Sequence, residues 1–209
     1  MKKPYLMVAL LALLGGCVTT PPSVGEAGPT LPDEQAEEAY QAVLAKYSGR
    51  DEIYDGFDTR LFAGATLQTP AFREARVRRQ AAFQALPANT VEKMLADERA
   101  AAAKANEFFL GVHLNEYRYG YFDQKPPMWH IALVTPTGEV TPTRVLRLGR
   151  VDLDMRAYYP YTGVFWVGWK LEFPTTLSNG DPVIPPGTKQ VLLRVASSLG
   201  KAEMVMAAE

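Results

Sequence analysis

The chain has 209 residues, with 22 basic and 23 acidic side chains, a formal net charge of −1 and a single cysteine. No basic excess is available to neutralise phosphates, so nucleic acid is not an expected partner. One cysteine excludes an internal disulfide framework, and the length suits one good-sized domain.

Lys2 and Lys3 make a short positive start, and Tyr5 to Leu14 is an uncharged apolar run. That run is shorter than the about 20 apolar residues of a permanent membrane span, and fits the apolar region of a cleaved signal. It ends in Leu14-Gly15-Gly16-Cys17, which resembles the lipobox of bacterial lipoproteins. The resemblance implies that residues 1–16 are a signal peptide. It implies too that Cys17 takes a diacylglyceryl group on its sulfur and an acyl chain such as palmitate on its new amine. The alternative is an ordinary secretion signal with a chance cysteine. Each buried methylene contributes roughly 0.8 kcal/mol and a single chain binds only marginally, so two or three chains on one cysteine would anchor firmly. Val18 stands where the family uses aspartate to retain lipoproteins in the inner membrane, so the resemblance implies the outer membrane, facing the periplasm.

Without residues 1–16 the chain carries 20 basic and 23 acidic residues. Val18 to Pro32 is rich in proline, glycine, serine and threonine and reads as a flexible tether, residues 17–32 with the lipidated cysteine. Residues 33–209 read as a single domain.

Asp33 to Tyr47 is expected to be helical, because Ala36, Tyr40, Val43, Leu44 and Tyr47 share one face and Glu34, Glu37 and Glu38 suit its positive end. Gly49 marks its end. Arg60 to Leu67 reads as the first strand. Thr69-Pro70 then supplies a cap and a first-turn proline for a helix reaching about Leu86. After Pro87, Asn89 and Glu92 signal a second capped helix, with Val91, Met94 and Leu95 as its stripe. These two form an expected αα-hairpin at about 69–104, inserted after the first strand.

From Asn106 onward, β-like runs alternate with turns. Phe108 to Leu114, Trp129 to Val134, Val140 to Leu148, Phe165 to Phe173, Val191 to Val195 and a last run ending near Met206 are the expected strands. Phe165, Val167, Trp169, Leu171 and Phe173 form the clearest single-face pattern, leaving Trp166 on the opposite, more tolerant face. The fold class is therefore mainly β, an immunoglobulin-like antiparallel β-sandwich with a helical insertion. There is no Cys…Trp…Cys spacing, so true immunoglobulin membership is not supported. The lipobox, the strand-to-helix junction Leu61 to Pro70 and the Phe108-Phe109 strand together resemble deltaproteobacterial and myxobacterial lipoproteins of uncharacterised function. That resemblance implies the sandwich with its insertion and no activity.

Few residues point to chemistry. His113 and His130 are the only imidazoles and fall on strands expected in opposite sheets, so a shared metal or catalytic site is disfavoured. Asp152 and Asp154 share one side of an expected extended segment and, with Asp181, could hold calcium; a solvated strand face is the preferred reading. No nucleophile elbow, phosphate loop or dinucleotide fingerprint occurs, and Ser197-Ser198 has no evident base. Arg73, Arg76 and Arg79 line one helix stripe with Arg78 off it, either meeting acidic lipid or an acidic partner or forming a solvated face partly paired with Glu74. The most suggestive residues are tyrosines: Tyr117, Tyr119 and Tyr121 alternate, and Tyr158, Tyr159 and Tyr161 cluster. Such rings either form a ligand-binding rim or cover the sandwich edge.

The expected function is that of a lipid-anchored, non-catalytic interaction or structural module of the cell envelope. The membrane would be its partner through the anchor, with a cell-envelope protein as a further partner and no metal or cofactor. The alternative is a glycan, peptide or small-molecule binder using the tyrosine rim, and a hydrolase or metal enzyme stands further off.

Overall fold

A computed structural model describes residues 28–209. The signal at 1–16, Cys17 and the tether up to residue 27 lie outside the described residues. The described chain is mainly antiparallel β-sheet with four helices.

Helix α1 (Glu34–Lys46) begins where Asp33 caps the Ala36 amide, with Glu34 and Glu37 in its first turn. Strands β1 (Ser48–Asp55) and β2 (Asp58–Leu67) form a hairpin turned at Gly56, whose φ of 61° suits a residue without a Cβ. Helices α2 (Pro70–Gln84) and α3 (Ala88–Ala102) follow. Strand β3 (Asn106–Leu114) then returns beside β2, Leu61 opposite Leu114. The two helices thus form the connection between neighbouring strands.

The chain then passes through a 3-10 turn (Tyr117–Tyr119) to β4 (His130–Thr135) and β5 (Gly138–Val140). Strand β6 (Arg144–Arg150), helix α4 (Leu153–Tyr158), β7 (Val167–Phe173), β8 (Gln190–Ser197) and β9 (Gly200–Ala207) complete it. One sheet runs β1-β2-β3-β7-β6, the other β5-β4-β8-β9. Leu61, Ala65, Phe108, Leu110, Trp169, Leu171 and Phe173 from the first meet Ile131, Leu133, Leu193, Val195 and Met204 from the second in one core. The period-two alternation of each strand places these residues on the inner face.

A second cluster lies on the outer face of the five-stranded sheet, where Tyr40, Leu44 and Phe72 from α1 and α2 cover Phe109, Tyr159, Tyr161 and Trp166. This overturns the expected tolerance at Trp166, which is 6% exposed, against 0% for Trp169. An antiparallel sheet with one solvated face would have left it wet; here helices cover that face.

Four further expectations are corrected. The helices follow the second strand rather than the first, because Ser48–Asp55 is also a strand; as a polar edge strand with only Ile53 buried, it lacks an apolar pattern. Helix α3 starts at Ala88 with no side-chain cap, the Asn89 carboxamide accepting instead from the Thr90 amide. The run Val140 to Leu148 breaks at Pro142, where the chain leaves one sheet for the other. Val151 to Met155 is not extended: Asp152 caps the Met155 amide at 2.8 Å and starts α4.

Candidate functional site

The six tyrosines separate into two places. Tyr117, which opens the 3-10 turn after β3, and Tyr121, just past it, are exposed, while Tyr119 packs on the main core and its carbonyl accepts from the Trp129 indole. Tyr159 and Tyr161 are buried in the second cluster, and Tyr158 packs at its margin. No single rim therefore unites the six.

The buried pair belongs to a polar seam between sheet and helices. The Tyr161 hydroxyl meets Thr66 Oγ1 at 2.7 Å, which in turn meets Ser48 Oγ at 2.7 Å. The Tyr159 hydroxyl donates to Gln68 Oε1, and the Tyr40 hydroxyl donates to the Tyr158 carbonyl at 2.6 Å. Burial pushes the Tyr159 hydroxyl up to about 12 and raises Tyr161 well above the ordinary range, so both hydroxyls stay neutral. Gly64 lies beneath Tyr161, where a Cβ would sit 2.6 Å from the ring. This seam ties structure together.

The arginine stripe of α2 faces inward. Arg79 is buried, its guanidinium 4.2 Å from the Tyr40 ring centre, paired with Glu37 and donating to the carbonyls of Ala157 and Pro29. Arg73 and Arg76 share Glu98, each at 2.5 Å, and Arg73 also faces Glu107. Burial works against the Arg76 charge, yet Tyr159 and Glu98 hold its pKa above the ordinary value. Arg78, off the stripe, is exposed and paired with Glu74. Neither a solvated face nor a headgroup site describes these three arginines. The glutamates that neutralise them come from α1, α3 and β3, a convergence that helical spacing alone does not reveal.

His113 on β3 and His130 on β4 belong to different sheets, as expected. His113 Nδ1 lies 3.5 Å from the Phe165 carbonyl and His130 Nε2 3.0 Å from Glu139. Asp181 bonds to Asn179 in its own loop rather than joining Asp152 and Asp154. Among the described residues no three histidine, cysteine or acidic groups converge to hold a metal ion.

The exposed pair lines a recess of about 80 Å³, with Phe165 and Arg147 as neighbours and Val112, Leu114 and Val167 as its floor. Phe165 was expected to face the core. It precedes β7 and is 69% exposed, so strand alternation does not govern it. An aromatic rim, an apolar floor and one guanidinium can receive a flat or apolar group and one acceptor. Of the described surface, this recess is the candidate binding site. The chain matches no family model, no curated protein and no solved structure.

Proposed function

We propose that this protein is a lipid-anchored, non-catalytic module of the bacterial cell envelope, held in the outer membrane by Cys17 and facing the periplasm. The observation that carries the reading is Leu14-Gly15-Gly16-Cys17 placed after two lysines and an apolar run. None of the helices among the described residues is long and apolar enough to cross a membrane. In the same reading the two sheets make an immunoglobulin-like β-sandwich in the broad sense, with α2 and α3 as an αα-hairpin. The shared core, the crossing at Pro142 and the short Ala85–Pro87 linkage support it. The resemblance to deltaproteobacterial and myxobacterial lipoproteins belongs to this proposal too. Labelled palmitate should enter the wild-type chain and not Cys17→Ala; label in the mutant would overturn the anchor. Affinity capture of the lipidated protein followed by mass spectrometry would identify a cell-envelope partner.

A second reading, a binder of a glycan, peptide or small molecule, is favoured by the Tyr117, Tyr121 and Phe165 rim with Arg147 beside it. Loss of a retained ligand in Tyr117→Ser with Tyr121→Ser, at unchanged stability, would establish it.

A further inference from the structure

Six of the exposed aromatic and aliphatic side chains gather at one end of the five-stranded sheet, while Phe83, Leu146 and Val205 are exposed elsewhere. Phe57, fully exposed, is at the tip of the β1–β2 hairpin. Tyr117 and Tyr121 follow the end of β3, and Val164 and Phe165 precede β7, all exposed. The pairings Leu61 with Leu114 and Val112 with Val167 put these three loops at the same end. The amide of Val151 donates to the Trp166 carbonyl at 2.8 Å, which brings exposed Leu153, at the start of α4, beside them. The opposite end is different. Around Asn106 and Phe173, where β3 starts and β7 ends, the surface recess is lined by Asp97, Lys104, Glu107, Arg144, Lys170 and Glu172. No exposed large apolar side chain of the described residues lies in that recess.

The described chain begins over the outer face of the five-stranded sheet, beside α4. Gly28 lies against α4, where a Cβ would sit 2.4 Å from the Arg156 carbonyl and 3.1 Å from Pro160. The eleven steps from Cys17 to Gly28 span at most about 36 Å at ~3.3 Å each. Tyr159, which follows α4, stacks on Phe109, and the five steps of β3 from there to Leu114 cover only about 17 Å at ~3.4 Å each. A tether of that length lets the loop end reach the surface that holds the anchor. Rings of tyrosine and phenylalanine prefer the headgroup level of a bilayer, with an apolar body inward and a polar tip outward.

We propose that the loop end bearing Phe57, Tyr117, Tyr121, Leu153, Val164 and Phe165 rests on the bilayer in which Cys17 is anchored, its rings seated at the headgroup level. The proposal rests on the lipoprotein reading and names the membrane as the occupant of that surface. Arg60 pairs with Asp55 and Arg118 with Glu116, leaving Arg147 at the rim of the recess, so the contact is chiefly apolar.

In the lipidated chain an introduced cysteine is the sole free thiol. Phe57→Cys, Tyr117→Cys and, as the far-end control, Lys104→Cys are each labelled with an environment-sensitive fluorophore. They are then reconstituted in phosphatidylethanolamine–phosphatidylglycerol vesicles containing brominated lipid. The expected result is a blue shift and at least threefold greater quenching at positions 57 and 117 than at 104, unchanged by 0.5 M salt. Loop-end probes as wet as the control overturn the proposal. So does a shift that follows protein concentration rather than lipid, which marks a second copy of the chain. A second label entering at Cys17 reveals an unacylated thiol and overturns the lipoprotein reading alone. The probes are then read in a Cys17→Ala background, where a shift with added lipid upholds the loop-end contact and its absence overturns it.

Discussion

The Tyr159 ring lies flat on Phe109, centroids 3.7 Å apart and planes 5° from parallel, and so joins the segment after α4 to the outer face of the central strand β3. Through that stack the second core is continuous from sheet to helices. Removing the ring in Tyr159→Ala should cost roughly 3 to 5 kcal/mol. Tyr159→Phe keeps the stack and loses only the bond to Gln68, a change of about 1 kcal/mol. Denaturant unfolding of both variants measures the difference, and equal losses would show that the hydroxyl matters more than the ring.

Trp166 and Trp169 should be similarly sensitive. Each is buried, one in the outer cluster and one in the inner core, so alanine at either position should cost roughly 3 to 5 kcal/mol. A loss at Trp166 of under about 1 kcal/mol would mean that the helices over that face are loosely held.

Buried Arg79 and half-buried Glu37 form an ion pair that also receives the Gln41 side chain and the Leu31 amide. Arg79→Ala leaves Glu37 with the bonds from Gln41 and Leu31 alone and should cost about 1.5 to 3 kcal/mol. Burial alone would raise the Glu37 pKa, but Arg79, Gln41 and the Leu31 amide outweigh it and hold the carboxyl below its ordinary value. A folded pKa below the unfolded one gives stability that is complete above the unfolded range, near about 4.3, and is lost as pH falls through the lower folded value. Unfolding followed from pH 6 to pH 3 should therefore show a shallower acid decline in Glu37→Gln than in the wild type.

Tyr117→Ser and Tyr121→Ser should change stability by within about 0.5 kcal/mol, because both rings face solvent. Tyr161→Ser removes a buried ring and breaks the Thr66–Ser48 seam. It should melt well below the others in a thermal scan. The double change His113→Gln with His130→Gln should melt close to the wild type, because His113 makes only a 3.5 Å contact with the Phe165 carbonyl and a stack on Phe62, and His130 only an exposed bond to Glu139.

Much of this architecture was legible from local pattern. Thr69-Pro70 announced α2, Asp33 and the acidic turn announced α1, and the alternation through Trp169, Leu171 and Phe173 announced a buried face. What stayed hidden depends on distant partners. The arginine stripe looks solvated until Glu37, Glu98 and Glu107 converge on it. Strand β1 looks like a loop because its stability comes from pairing rather than apolar residues. The tyrosines at 117–121 alternate like a strand, yet a tight turn ending at Gly120 overrides period two. The aromatic recess was half visible: Tyr117 and Tyr121 stood out, while Phe165 was hidden inside a strand-like pattern that begins two residues before the strand itself.

Strands β1 and β9 lie side by side, with Gly49 against the Val205 backbone and the Glu203 amide bonded to the Asp51 carboxylate. The first and the last of the described strands thus bring an edge of each sheet together. A ribosome that has released only the chain up to Ser197 has made a hairpin without its lock. Closing a loop of that sequence length is entropically slow, and contacts so far apart delay the transition state. The step that joins these two strands accordingly waits on the whole chain, so the ends of the sequence are brought together last.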